Sequence, residues 1–109
     1  MGRDLLGEFE HQVMLAILRL QEEAYTVPIV VELEKVTGRE VAPAAVYVAL
    51  RRLEKKGLVS SELRVPEDPS GGRSRRYVSL TPDGIERLRE ARQTLAALWA
   101  GVEPALDGG

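Results

Sequence analysis

The residues best suited to chemistry in this sequence are basic side chains, and they fall into two groups. The first group follows a run of apolar residues in the middle of the chain: Arg51, Arg52, Lys55 and Lys56. The second group follows two glycines: Arg73, Arg75 and Arg76. Lysine and arginine bind phosphate, and arginine can also hold the edge of a guanine with two hydrogen bonds. The pattern indicates nucleic-acid recognition, although a solvated helix face has the same composition.

The net charge of the whole chain is a weak argument against nucleic-acid binding. The 109 residues include 15 Lys+Arg and 17 Asp+Glu, giving a formal net charge of -2, whereas DNA-binding domains are usually basic. The distribution is uneven, however. Residues 39–76 contain nine Lys/Arg against five Asp/Glu, and the remainder contains six against twelve. A basic segment within an acidic chain is compatible with a localised DNA interface.

Several functional classes are excluded by composition. The chain has no cysteine and a single histidine, His11, which excludes disulfide scaffolds, thiol catalysis and zinc sites built on Cys. No nucleophile elbow, dinucleotide fingerprint or metal-ligand cluster is present, so we expect no enzyme activity, no cofactor and no metal. Without a long apolar run or a signal-peptide pattern, we expect a soluble cytoplasmic protein with no membrane partner.

Apolar spacing predicts four helices around this basic segment. The first should run from about Gly7 to Glu23. The second should start near Thr26, as a cap, with Pro28 in its first turn, and stop at Gly38. The third should begin with Pro43 in its first turn and end at Gly57, with Val46, Ala49, Leu50 and Leu53 facing inward. Thr81-Pro82 should open the last, which reaches about Ala100 before Gly101 and Pro104 break the tail.

Between the third and fourth helices the apolar period changes from 3.6 to 2. Val59, Ser61, Leu63 and Val65 alternate with polar residues, which is typical of a half-buried strand. A second alternating run contains Val78 and Leu80, after a loop at residues 66–72. The order predicts a mainly α fold with a small β-hairpin: a winged helix-turn-helix at residues 1–80 and a C-terminal dimerisation helix at 81–109.

Three sequence motifs resemble the PadR family of bacterial winged helix-turn-helix transcriptional regulators. They are Tyr-x-x-Leu-x-x-Leu-x-x-x-Gly-Leu from Tyr47, Gly-Gly-Arg-x-x-Arg-Tyr from Gly71, and Leu-Thr-Pro-x-Gly from Leu80. Leu6-Gly7-Glu8-Phe9-Glu10 and Thr37-Gly38-Arg39 also match. The resemblance covers about residues 6–100. It implies a dimeric DNA-binding repressor in which the third helix enters the major groove, the hairpin is the wing and the last helix dimerises.

The resemblance and the helical wheel together assign a DNA-binding face. Arg51 is the best candidate for reading bases, and Ala44 and Val48 can touch only apolar surface such as a thymine methyl. The remaining candidates are expected to contact phosphate or the minor groove: Tyr47, Arg52, Lys55, Lys56, Arg73, Arg75 and Arg76.

The last helix carries a short heptad seam for dimerisation, formed by Leu88, Ala91, Leu95, Leu98 and Val102. Ile85 and Trp99 lie beside the seam, and Leu6 and Phe9 of the first helix are expected to complete the interface. Packing of this seam onto the chain's own core is the alternative. A pocket for a small aromatic effector near Trp99 is a further hypothesis from the resemblance.

The sequence is also compatible with a second function, that of a winged-helix module that binds protein rather than DNA. The acidic balance favours it, as do Glu67 and Asp68 in the wing loop, because their charges repel phosphate. Family members usually have a hydroxyl residue where this chain has Ala42, and often glycine where it has Thr26 and Ala44. Salt dependence separates the two functions, because binding through Lys and Arg weakens steeply with salt.

Overall fold

The computed structural model describes residues 6–66 and 72–107. The helices are α1 (Glu8–Leu20), α2 (Thr26–Thr37), α3 (Pro43–Lys55), α4 (Pro82–Trp99) and α5 (Glu103–Asp107), and the strands are β1 (Val59–Arg64) and β2 (Arg75–Leu80). The predicted order of three helices, a hairpin and a long C-terminal helix is confirmed. Within the described ranges, none of the helices combines the length and the apolarity that crossing a bilayer requires.

The core lies where α1, α2 and α3 meet the base of the hairpin. Its fully buried large side chains are Met14, Ile29, Leu53, Val13 and Val46. All four residues predicted to face inward from α3 are buried, which leaves the opposite face of that helix in solvent. Burying the inner faces fixes the orientation of α3 and so determines which of its side chains point outward.

Two helix ends differ from the sequence prediction. α1 ends at Leu20, and a 3₁₀ turn, Gln21–Glu23, follows it; Gln21 has a φ of 53°. Thr26 is the first residue of α2 and not its cap, because Tyr25 occupies the N-cap position and no side chain caps the helix. Gly38 ends α2 in the left-handed conformation, with φ 73°, as predicted.

The hairpin is antiparallel, with Val59 opposite Leu80 and Arg64 opposite Arg75. Only its base is half-buried: Val59 and Val78 lie in the core. Leu63 and Val65, which we expected on the inner face, are 53% and 70% exposed. The alternation is present, but the apolar side chains at the outer end of β1 stay in solvent. The predicted wing loop, with Glu67, Asp68 and Gly71, falls largely outside the described residues.

The Leu-Thr-Pro-x-Gly motif joins α4 to the turn between α3 and β1. The Thr81 hydroxyl donates to the Gly57 carbonyl (2.7 Å) and accepts from the Gly84 N–H (3.0 Å), and the Thr81 N–H donates to the Leu58 carbonyl (3.1 Å). Gly84 lies so close to this turn that a Cβ atom would stand 2.1 Å from the Leu58 carbonyl oxygen. Glycine is therefore required where α4 leaves the body.

The C-terminal tail was predicted to be broken after Ala100. Gly101 does break α4, with φ 83°. A short helix, α5, then forms around Pro104, which it accommodates because proline is tolerated in the first turn of a helix.

Gly84→Ala should destabilise the fold, because the added methyl collides with backbone and not with a flexible side chain. We expect the free energy of unfolding to fall by about 1–3 kcal/mol, the usual cost of overpacking, as measured by urea denaturation. Gln93→Ala, at an exposed position of the same helix, should change it by less than about 0.5 kcal/mol. Equal stabilities for the two variants would contradict the assigned role of Gly84.

Candidate nucleic-acid interface

The outer face of α3 carries most of the residues that the sequence singled out for DNA binding. Ala44, Tyr47, Val48, Arg51, Arg52 and Lys55 are all exposed. Arg51 and Tyr47 act as a pair: Nη1 of Arg51 donates to the Tyr47 hydroxyl oxygen at 3.0 Å, and the guanidinium carbon lies 5.8 Å from the ring centroid. The accepting hydroxyl keeps its own proton for another acceptor, such as a phosphate oxygen.

Lys56 is positioned differently from its neighbours, and this corrects the expectation of a solvent-facing phosphate contact. Its side chain is largely buried, and Nζ lies 2.9 Å from Oε1 of Glu10 on α1. The ion pair joins residues 46 positions apart. Lys56 therefore has a structural role in this arrangement, since it attaches the end of α3 to α1.

Glu10, which the sequence analysis did not select, is the most deeply buried charged residue of the described chain. Its Oε1 also accepts from the Gly7 N–H (3.0 Å), which caps α1. Burial raises the pKa of Glu10, but the bonds from Lys56 and Gly7 and the charges of Lys56 and Arg52 lower it by more, so the pKa lies below its ordinary value. A glutamate three residues after the cap is the local signal that could have identified it.

The hairpin and α3 enclose a positively charged cleft. Its lining includes Tyr47 and Arg51 from α3, Tyr25 and Thr26 from the start of α2, and Arg73, Arg75 and Arg76 from the hairpin. The three hairpin arginines are exposed. The structure thus brings Arg51 of the first basic group together with all three arginines of the second. The first turn of α2 adds partial positive charge, because its N–H groups face away from the helix and it contains no acidic residue.

Neighbouring side chains hold three of the arginines in the hairpin. Nη1 of Arg76 donates to the Ser61 hydroxyl oxygen (3.3 Å), and that hydroxyl donates to Oε2 of Glu54 on α3 (2.8 Å). Arg64 and Arg75 lie over the rings of Tyr77 and Tyr25. Tyr25, Tyr77 and Arg64 were missed, because each acts through a contact with a distant part of the chain.

The residues expected to form a dimer interface divide into three sets by burial. Leu88 is 7% exposed and lies in the chain's own core, as the alternative interpretation required. Leu6, Phe9, Ile85 and Ala91 are half-buried. The outer half of the seam is exposed: Leu95, Leu98, Trp99 and Val102. Self-packing thus accounts for the beginning of the seam but not for its end.

The Glu10 carboxylate should make stability depend on pH. Its pKa is lower in the folded chain than in the unfolded chain, where it is near 4.5, so its contribution is complete above that value and is lost as the pH falls through the folded pKa. At pH 7, Glu10→Gln should cost roughly 1–2 kcal/mol in urea denaturation.

The difference between wild type and Glu10→Gln should shrink steadily in acid. Glu23→Gln, which changes an exposed carboxylate, is the matched control and should follow the wild type closely at every pH. A Glu10→Gln difference that stays constant from neutral to strongly acidic pH would contradict the assignment.

Comparison with known proteins identifies the family. The model of the transcriptional regulator PadR-like family matches residues 14–90. A curated relative, Transcriptional regulator Rv3488 of Mycobacterium tuberculosis, is 43% identical over 61 residues, which are 56% of this chain and 53% of the relative. This chain therefore matches only about half of that relative's length.

Two solved structures are similar to most of this chain. A PadR-like transcriptional regulator from Bacillus cereus superposes with a TM-score of 0.73 at 28% identity, covering 93% of each chain. A PadR family transcriptional regulator from Eggerthella lenta gives a TM-score of 0.66 at 33% identity, covering 89% of this chain and 82% of that one. The family and these relatives are transcriptional regulators and not enzymes, as expected here. The chain belongs to the PadR-like family of transcriptional regulators.

Proposed function

We propose that this regulator binds a specific DNA sequence as a homodimer and represses transcription by occupying a palindromic operator. The observation that carries the proposal is the cleft in which the exposed face of α3 meets the hairpin arginines. Family membership supplies the regulatory role. No chemical step is needed, because bound protein blocks access of the polymerase to the DNA.

In this proposal α3 lies in the major groove and reads bases with few side chains. Arg51 binds a guanine through its guanidinium, and Ala44 and Val48 contact thymine methyl groups. Arg52 and Lys55 bind phosphates on either side, and Tyr47 donates its hydroxyl proton to another. The hairpin serves as the wing, where Arg73, Arg75 and Arg76 reach the backbone or the minor groove. Residues 1–80 act as the DNA-binding unit and residues 81–109 as the dimerisation unit.

The dimer is supported by the apolar surface that α4 leaves in solvent. Leu98 is 67% exposed and Trp99 43%, with Leu95 and Val102 on the same half of the seam. A second copy related by a two-fold axis would cover this surface and present two copies of α3. Half-sites about 34 Å apart, one turn of DNA, suit such an arrangement.

The hypothesis of an aromatic effector near Trp99 depends on the same dimer. In a single chain Trp99 is exposed, so an enclosed pocket around it needs surface from the second copy. Titrating the dimer with aromatic compounds while recording tryptophan fluorescence tests this hypothesis.

DNA binding should be specific, sensitive to salt and dependent on Arg51. We expect the purified protein to bind a duplex from upstream of its own gene far more tightly than an unrelated duplex, and affinity to fall steeply with salt. Arg51→Ala should weaken specific binding roughly tenfold or more and leave the unrelated duplex little affected. Fluorescence anisotropy with labelled duplexes measures both.

Lys35→Ala is the control, because it removes a positive charge from the exposed end of α2 and should leave the ratio of the two affinities unchanged. Failure of the wild type to bind either duplex at low salt would overturn the proposal. It would favour the alternative, a winged-helix module that binds protein.

Dimerisation should depend on the exposed half of the α4 seam. Leu98→Glu places a charge in the proposed interface, so we expect a monomer by light scattering at concentrations where the wild type is a dimer. Val31→Glu makes the same change at an exposed valine of α2 and should leave the dimer intact. Trp99 emission should shift to the red only in Leu98→Glu. A dimeric Leu98→Glu variant would contradict the proposed interface.

A further inference from the structure

Four side chains form an arginine–tyrosine stack, made of Arg64, Tyr77, Tyr25 and Arg75. The guanidinium carbon of Arg64 lies 4.1 Å from the centroid of the Tyr77 ring. The Tyr77 and Tyr25 rings meet edge to face, with centroids 5.1 Å apart and an interplanar angle of 62°. The guanidinium carbon of Arg75 lies 4.9 Å from the Tyr25 centroid. The stack therefore has a cation at each end and two rings between them.

The backbone places Tyr25 next to the hairpin. The Val78 N–H donates to the Ala24 carbonyl at 2.9 Å, so the chain just before α2 lies along the edge of β2. The Tyr25 ring consequently reaches the same hairpin face as Tyr77 and Arg75, while Tyr25 also lines the cleft. This single side chain links the start of α2 to the wing.

The stack also separates two positive charges that the strand register places side by side. Arg64 and Arg75 are directly opposite each other in the strand register, and like charges at opposed positions destabilise a hairpin. Each guanidinium instead lies on a different ring. Arg64 is held toward the body of the protein, since its Nη1 donates to the Glu22 carbonyl at 3.4 Å. Arg75 remains at the cleft, over the ring of Tyr25.

We propose that Tyr25 is a positioning residue, which holds the guanidinium of Arg75 in place to contact DNA. A guanidinium stacked on a ring uses its flat face, and its in-plane N–H donors stay available for phosphate. Holding the side chain before binding lowers the entropy lost on association. This inference rests on the proposed DNA-binding function.

A double-mutant cycle tests the inference with the duplex from upstream of the gene. Tyr25→Leu removes the ring and should weaken binding about threefold to fivefold, the factor expected when one long side chain is no longer ordered before association. In an Arg75→Ala background the same change should have no further effect, because the group that Tyr25 positions is gone. In an Arg73→Ala background it should still weaken binding by the full factor.

Two further measurements separate positioning from general stability. Tyr25→Phe keeps the ring and should bind DNA as the wild type does. The Nε–H NMR signal of Arg75 in the free wild-type protein should show the upfield shift that an aromatic ring face causes, and this readout does not depend on any variant folding.

The inference is overturned if Tyr25→Leu binds DNA like the wild type, if its effect is the same with and without Arg75, or if the Arg75 signal is unshifted. Lack of DNA binding by the wild type itself would instead show that the proposed function is wrong, and this inference would then fail with it.

Discussion

The ion pair between Glu10 and Lys56 holds together the two parts on which the interface depends. It joins the first turn of α1 to the end of α3, so the helix that carries Arg51 is fixed at that end by charge and along its inner face by apolar packing. A charge left without its partner in such a place is costly. Glu10 and Lys56 therefore stabilise the fold, whereas the side chains on the outer face of α3 remain exposed to solvent.

Neighbouring side chains restrain three of the arginines that line the cleft. Arg76 is bound to Ser61, Arg75 lies over Tyr25, and Arg51 is paired with Tyr47. The chain outside residues 39–76 is acidic in total, so the excess of positive charge lies in the segment that contributes α3 and the hairpin. Such a distribution favours attraction of a polyanion to that segment and weakens attraction elsewhere, so an acidic net charge is compatible with the proposed DNA interface.

Local pattern was sufficient for the helices and for most of the exposed face of α3 that we propose binds DNA. The inner residues of α3 follow from helical spacing, and the Thr81 cap follows from residue type. Lys56 could not be placed correctly, because its partner is 46 residues away and periodicity carries no information about distant contacts. For the same reason the Tyr25–Tyr77 contact was missed. Leu63 and Val65 alternate as in a half-buried strand but are exposed, because alternation alone does not show whether another element covers the strand.

The close contact between Gly84 and the Leu58 carbonyl fixes the position of the first turn of α4. The helix has 18 residues and is therefore about 27 Å long. A tilt of about 10° at its base moves its far end by about 5 Å on this length. Because this contact joins backbone to backbone, a change in the direction of α4 should also move the turn that ends α3. In a dimer joined through α4, the Gly84–Leu58 contact would set the distance between the two copies of α3.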